Sequence, residues 1–198
     1  MSTDGVDLTR RHFLTVATSV VGGVGVVAAA VPFVASMQPS DRARAAGAPV
    51  EVDISKIEPG GIAKVEWRGR AIAIVRRTPA MQEATVELGD AVLRDPQSQE
   101  PQQPEYATNP LRSIKPDVFV VVSNCTHLGC SPTFRPEVAP ADLGSDWKGG
   151  FFCPCHGSKF DLAGRVYKSV PAPLNLQVPP HRYLDDNTLL IGEDGGAA

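Results

Sequence analysis

The 198-residue chain lacks the features that mark several large functional classes. It has no basic stripe and no aromatic platform of the kind that grips nucleic acid, and its formal net charge of -3 also argues against a polyanionic partner. No internal repeat of solenoid length is present. Cysteine is scarce: there are four, all confined to two short boxes, Cys125-Thr126-His127-Leu128-Gly129-Cys130 and Cys153-Pro154-Cys155-His156-Gly157-Ser158. Charge is missing altogether between Arg11 and Asp41.

The uncharged stretch is the first thing to explain. Its apolar part, residues 13–37, runs to about 25 residues, enough to span a bilayer and longer than the core of an ordinary signal peptide, about 7 to 15 residues. Immediately before it, Thr9-Arg10-Arg11-His12-Phe13-Leu14 matches the twin-arginine export pattern. Export in the folded state suits a protein whose metal centre is assembled before it leaves the cytoplasm. Ala43-Arg44-Ala45 also reads as a cleavage site, but the length of the apolar run favours a retained anchor. Ser19, Gly22, Gly23, Gly25 and Ala29 are small positions where a neighbouring helix could approach. Arg42 and Arg44 balance Arg10 and Arg11, so the export signal sets the orientation, with the N-terminus in the cytoplasm. Residues 38–49, rich in Pro, Ser, Ala, Gly and Arg, read as a linker. The expected organisation is therefore signal and transmembrane anchor 1–37, linker 38–49 and an exported head 50–198.

The boxes carry the chemistry. Each alternates thiol and imidazole, as C-x-H-x2-C and C-x-C-H. Zinc modules usually pair like with like, as C-x2-C and H-x3-5-H, so a closed zinc site fits this spacing badly. Two loops that each offer a thiolate and an imidazole can clamp a diamond-shaped 2Fe-2S core from one side, with imidazoles on one iron raising its reduction potential. His12, in the export signal, and His181, which follows Pro179-Pro180 in what reads as a surface turn, are weak candidates for chemistry.

On both boxes, the anchor and the proline-rich segment after them, the chain resembles the Rieske iron-sulfur proteins of the cytochrome bc type. The resemblance implies one Rieske 2Fe-2S cluster per chain, with Cys125, His127, Cys153 and His156 as iron ligands and Cys130 and Cys155 as a disulfide between the loops. Closing a loop of that length is worth roughly 3 kcal/mol. It places Leu128 and Gly129 beside the exposed ligands, Pro171-Ala172-Pro173 as a cover over the cluster, and Ser158 as a donor to a cluster sulfur. It makes His156 the residue that faces the quinol and accepts its hydrogen bond. The implied activity is that of an electron-transfer subunit of a quinol:cytochrome c oxidoreductase, a proton-translocating respiratory complex. Such a subunit takes an electron with a proton from ubiquinol and passes the electron to a cytochrome c-type haem, with residues 38–49 as the hinge of a moving head. The implied partners are cytochrome b and cytochrome c-type subunits in a dimeric complex of the bacterial inner membrane, with the head in the periplasm. Two other readings are the small Rieske subunit of an exported molybdenum enzyme such as arsenite oxidase, and a non-redox, zinc-stapled binding module. Three positions depart from the family pattern: the stretch 131–152 between the boxes is longer than in mitochondrial-type members, Val170 stands where many have glycine, and Phe160 stands where high-potential members carry tyrosine.

The head reads as all-β, an antiparallel β-sandwich carrying a cluster-binding subdomain at about 118–178. Residues 50–54 alternate with period two, and 63–67 and 71–75 flank Arg68-Gly69-Arg70 as a hairpin. Residues 119–123 form an apolar run into the first box, and 165–167, 174–178 and 188–191 read as short strands. Thr78-Pro79 signals a short helix through Leu88. Residues 95–117, rich in Pro and Gln, read as an exposed irregular excursion.

Overall fold

The computed structural model describes residues 7–195, so the first six residues of the expected anchor segment and the last three of the head lie outside it. Two compact units are present, residues 1–45 and 46–198.

The first unit is built on α1, Leu8–Ser36, 29 residues long and therefore about 43 Å at 1.5 Å per residue. Asp7 caps it, its carboxylate accepting from the Thr9 and Arg10 amides at 3.0 Å. None of its residues is buried, and it is long and apolar enough to cross a membrane. The stretch expected as a plain linker contains a six-residue helix, α2, Asp41–Ala46. Ser40 starts it by accepting from the Ala43 amide at 3.2 Å, a capping signal that the flanking Pro39 and Pro49 obscure.

Among the described residues, the second unit holds three antiparallel three-stranded sheets. One orders β1 (Val50–Asp53), β9 (Thr188–Ile191) and β8 (His181–Tyr183); the next β2 (Ile62–Trp67), β3 (Arg70–Arg76) and β4 (Val118–Val122); the last β5 (Thr133–Arg135), β6 (Gly150–Phe152) and β7 (Lys159–Asp161). The β2–β3 hairpin turns on Arg68 and Gly69, both at positive φ, as a two-residue turn demands. Between it and β4, α3 (Pro79–Glu87) starts where Thr78 Oγ1 accepts from the Met81 amide at 3.3 Å.

The middle sheet is the structural centre, because β4 is buried at every position. Ile72, Ile74, Val118, Val120 and Val122 pack towards Leu189 and Ile191 of the first sheet. Ala73, Val75, Phe119 and Val121 face the other way, onto Phe151, Phe160 and Leu176. A strand covered on both faces needs a continuous apolar run, which is what Val-Phe-Val-Val-Val supplies. Burial of each such side chain stabilises the fold by about 1.5–3 kcal/mol. Cys125 and Cys153 border the second of these cores, so the rigid layer ends at the boxes.

Three sequence expectations fail here. Residues 95–117 are irregular apart from a 3-10 turn, Glu105–Ala107, but they are only partly exposed: Pro96, Ser98, Ala107, Arg112 and Ser113 are buried, and two buried arginines tie the segment down. Arg112 donates to the carbonyls of Ala163 and Leu176, both at 2.9 Å, and Arg77 to that of Leu111 at 2.8 Å and to Ser113 Oγ at 2.6 Å. A guanidinium offers five donors and so can satisfy backbone that no ladder pairs, at the cost of burial that pushes both arginines down to about 10. His181 is not in a surface turn: it opens β8 and is 2% exposed, with Nδ1 donating to the Pro179 carbonyl at 2.8 Å. Residues 174–178 form no strand, and 165–167 make only isolated bridges, because their amides are taken by non-ladder partners such as Asn175 Oδ1, which accepts from Val166 at 2.9 Å.

Candidate metal centre

The two boxes fold into the same loop although their letters differ. In the first, the Cys125 amide donates to the Cys130 carbonyl at 2.7 Å and the Gly129 amide to the Cys125 carbonyl at 2.9 Å. In the second, the Cys153 amide donates to the Ser158 carbonyl at 2.8 Å and the Gly157 amide to the Cys153 carbonyl at 2.9 Å. Both loops turn on a glycine four residues after the leading cysteine, at φ 84° for Gly129 and 75° for Gly157, where a side chain would be strained. Each loop follows a strand that anchors its leading cysteine: β4 before Cys125 and β6 before Cys153.

This common geometry sorts the donors. Cys125 and Cys153 are free thiols, buried to 3% and 2% exposure. Cys130 and Cys155 are joined in a disulfide, with Cα atoms 6.7 Å apart. The sulfurs of Cys130, Cys153 and Cys155 lie within 4.8 Å of one another, but two of them are bonded together, so only Cys153 of the three keeps a thiol to offer a metal. The rings of His127 and His156 meet edge to face, centroids 4.9 Å apart. His156 is exposed and His127 half-buried. Two buried thiols below and two converging imidazoles at the surface form a donor set with one sulfur end and one nitrogen end, which fits a 2Fe-2S group better than a tetrahedral zinc.

Hydrogen bonds orient the sulfur end. Burial pushes the Cys125 thiol up, opposed by the His127 amide and the Ser158 hydroxyl, both of which bond its sulfur. Ser158, fully buried, also accepts from the Ala172 amide at 3.1 Å. Phe160 is fully buried and brings no hydroxyl to this core.

The proline segment is fastened to both loops. Ala172 reaches Ser158 of the second, and Thr126 Oγ1 of the first donates to the Leu174 carbonyl at 2.6 Å. Pro171 and Pro173 are exposed on either side of buried Ala172. Leu128, at the tip of the first loop, is 72% exposed, a large apolar side chain held in solvent next to a positive-φ glycine. Sequence reasoning missed Thr126 and Asn124, whose Nδ2 donates to the Gly129 carbonyl at 3.0 Å. A hydroxyl between a ligand-type cysteine and histidine was the available signal for Thr126.

Comparison with known proteins bears on the same residues. The family model described as Rieske 2Fe-2S domain matches residues 50–180, and one described as ubiquitinol-cytochrome C reductase Fe-S subunit TAT signal matches residues 1–40. A ubiquinol-cytochrome c reductase iron-sulfur subunit of Allochromatium vinosum is 63% identical over 198 residues, 100% of this chain and 95% of its own. The protein of the same name from Blastochloris viridis is 42% identical over 191 residues, 96% of this chain and 97% of its own. Among solved structures, one named Hyperthermophilic respiratory Complex III is 29% identical, covers 88% of this chain and 98% of its own, and has a TM-score of 0.47.

Proposed function

The chain belongs to the Rieske iron-sulfur family, and from that premise we propose that it is the iron-sulfur subunit of a ubiquinol-cytochrome c reductase, a membrane oxidoreductase in which it works with cytochrome b and cytochrome c1. The small-subunit reading for a molybdenum enzyme is not favoured, since relatives that span the whole chain carry the reductase name. When bound, a Rieske 2Fe-2S cluster supplies a one-electron acceptor whose potential is raised by its imidazole ligands.

We assign Cys125 and Cys153 to the sulfur end of the cluster and His127 and His156 to the nitrogen end. The observations that carry this assignment are the edge-to-face pair of imidazoles from the two loops and the two buried thiols of the same loops, in contact with each other and left free by the disulfide. Exposed His156 is placed to hydrogen-bond the quinol hydroxyl and to take its proton at a ring nitrogen as the electron leaves. Leu128 and Gly129 form the apolar tip that docks beside the quinol, and Pro171 and Pro173 keep water from the sulfur end. Ser158 holds a donor on that end, where negative charge rises on reduction.

The apolar helix and the matched export signal support a membrane-anchored subunit. On that basis the head, residues 50–198, works in the periplasm, residues 38–49 act as its hinge, and ubiquinol is the donor in a dimeric complex. The test is purification of the native assembly: cytochromes b and c must accompany a reduced-protein EPR spectrum of Rieske type. A molybdopterin subunit in their place, or an EPR-silent protein containing zinc, would refute the reading.

A further inference from the structure

Pro171-Ala172-Pro173 presents a single backbone donor, since proline has no amide N–H. That N–H goes to Ser158, whose Oγ accepts it at 3.1 Å. A hydroxyl has one proton and two lone pairs. An amide on one lone pair turns the proton of fully buried Ser158 away from Ala172, and the Cys125 sulfur is the acceptor it meets.

The proline cover is a short bridge on two feet. At its start the Lys168 amide donates to the Val92 carbonyl at 2.8 Å, and Ser169 turns the chain at φ 59°. At its end stands Asn175, 1% exposed. Asn175 Oδ1 accepts from the Val166 amide at 2.9 Å, and Nδ2 donates to the Asp95 carbonyl at 3.0 Å and to Ser98 Oγ at 3.3 Å. One side-chain amide thus joins the cover to the chain returning from β7 and to the irregular segment 95–117. Packing alone does not hold this foot, because a cavity of about 210 Å³ lies between Pro173 and Leu174 on one side and Arg94 and Asp95 on the other. Only Leu174 and Pro173 separate Asn175 from Ala172. Thr126 holds the Leu174 carbonyl at 2.6 Å, and Pro173 has a ring-fixed φ and restricts Ala172 before it. So stiff a span carries a displacement of Asn175 to the Ala172 amide.

We propose that Asn175 is a positioning residue for the electron acceptor: it clamps the foot of the cover, which holds the Ala172 amide on Ser158 and the Ser158 proton on the Cys125 sulfur. The clamp therefore raises the reduction potential, since a donor on a ligand sulfur favours the more negative, reduced state. The hydrogen bonds of Asn175 go to neither box, so its effect passes through Ser158. This inference rests on the cluster assignment proposed above.

Voltammetry and EPR of the full-length, cluster-loaded protein in detergent test it through a cycle of Asn175→Ala and Ser158→Ala. Ser158→Ala should keep the Rieske spectrum and lower the midpoint potential. Asn175→Ala should keep the spectrum and lower the potential by part of that shift. In the Ser158→Ala background it should leave the potential where Ser158→Ala alone sets it. A residue that served stability only would lower the unfolding midpoint without this dependence on Ser158. Where Asn175→Ala loads no cluster, Ser98→Ala removes one acceptor from Nδ2 and is expected to give a smaller shift with the same dependence. An unchanged potential in Asn175→Ala, or in Ser98→Ala where it takes that place, would overturn the inference, as would a shift of equal size with and without Ser158. A wild type lacking the Rieske spectrum would instead refute the cluster assignment.

Discussion

His127 and His156 present their imidazole rings edge to face, centroids 4.9 Å apart with planes at 89°. They come from different loops, and His156 is open to solvent, so core packing does not explain the meeting. Two polar rings brought together from loops that each also hold a buried free thiol make sense as one end of a shared metal group. The disulfide between Cys130 and Cys155 lies beside them and holds the loops in register.

That bridge is expected to stabilise rather than ligate. Cys130→Ser should keep the Rieske EPR signal at low temperature and lower the unfolding free energy by roughly 3 kcal/mol, since the loop it closes spans 25 residues. Cys125→Ala should abolish the signal. Chemical denaturation followed alongside EPR checks both; a signal lost in folded Cys130→Ser but kept in Cys125→Ala would exchange their roles.

Phe160 sits fully buried in the core that contains Cys125 and Cys153. Phe160→Tyr adds one oxygen to a ring of the same shape, and a hydroxyl donating to a ligand sulfur stabilises the more negative, reduced state. A hydrogen bond of about 1 kcal/mol corresponds to a rise on the order of 40 mV in a one-electron couple. Voltammetry on the purified protein reads it, and a midpoint unchanged or lowered would show that the position does not tune the iron.

Thr126 ties the first loop to the proline cover through the Leu174 carbonyl. Thr126→Val keeps the shape and leaves that half-buried carbonyl unpaired, at a cost of about 1–2 kcal/mol. The cover should loosen, so that a chelator bleaches the visible spectrum several times faster; Thr126→Ser should restore the wild-type rate. Equal bleaching in all three proteins would remove the latch from the account.

The arginines and His181 show where sequence reasoning stopped. The hairpin was legible because Arg68-Gly69 sits between two apolar runs, and β4 because five apolar residues in succession require cover on both faces. The boxes were legible because the order of thiols and imidazoles restricts the chemistry. Strands β5, β6 and β7 have three residues each, too few to show a period, and they matter because they aim the second box. Residues 95–117 look solvent-exposed by composition since their packing comes from Arg77 and Arg112 donating to carbonyls, and no pattern of side chains announces carbonyl partners. Pro179-Pro180 reads as a turn, yet the chain runs directly from it into β8, burying His181.

That burial has a pH consequence. Desolvation holds His181 below its ordinary value of about 6.5. In the unfolded chain it takes a proton near that value while the folded protein resists, so its contribution to stability is full above about pH 6.5 and is lost as pH falls towards the folded value. Denaturant midpoints between about pH 7.5 and 5 should therefore fall more steeply for wild type than for His181→Gln. Parallel slopes would show that His181 takes its proton equally in both states.

The central claim is that one iron carries two histidines, His127 and His156. Pulsed EPR of the dithionite-reduced protein, grown with nitrogen-15 histidine, reads this directly by counting nitrogens strongly coupled to the cluster spin. Two such nitrogens are predicted in the wild type, with the Rieske spectrum lost in His127→Ala and in His156→Ala and retained in His181→Gln. A wild-type spectrum with one coupled nitrogen or none, or a Rieske spectrum that survives either alanine substitution, would contradict the account.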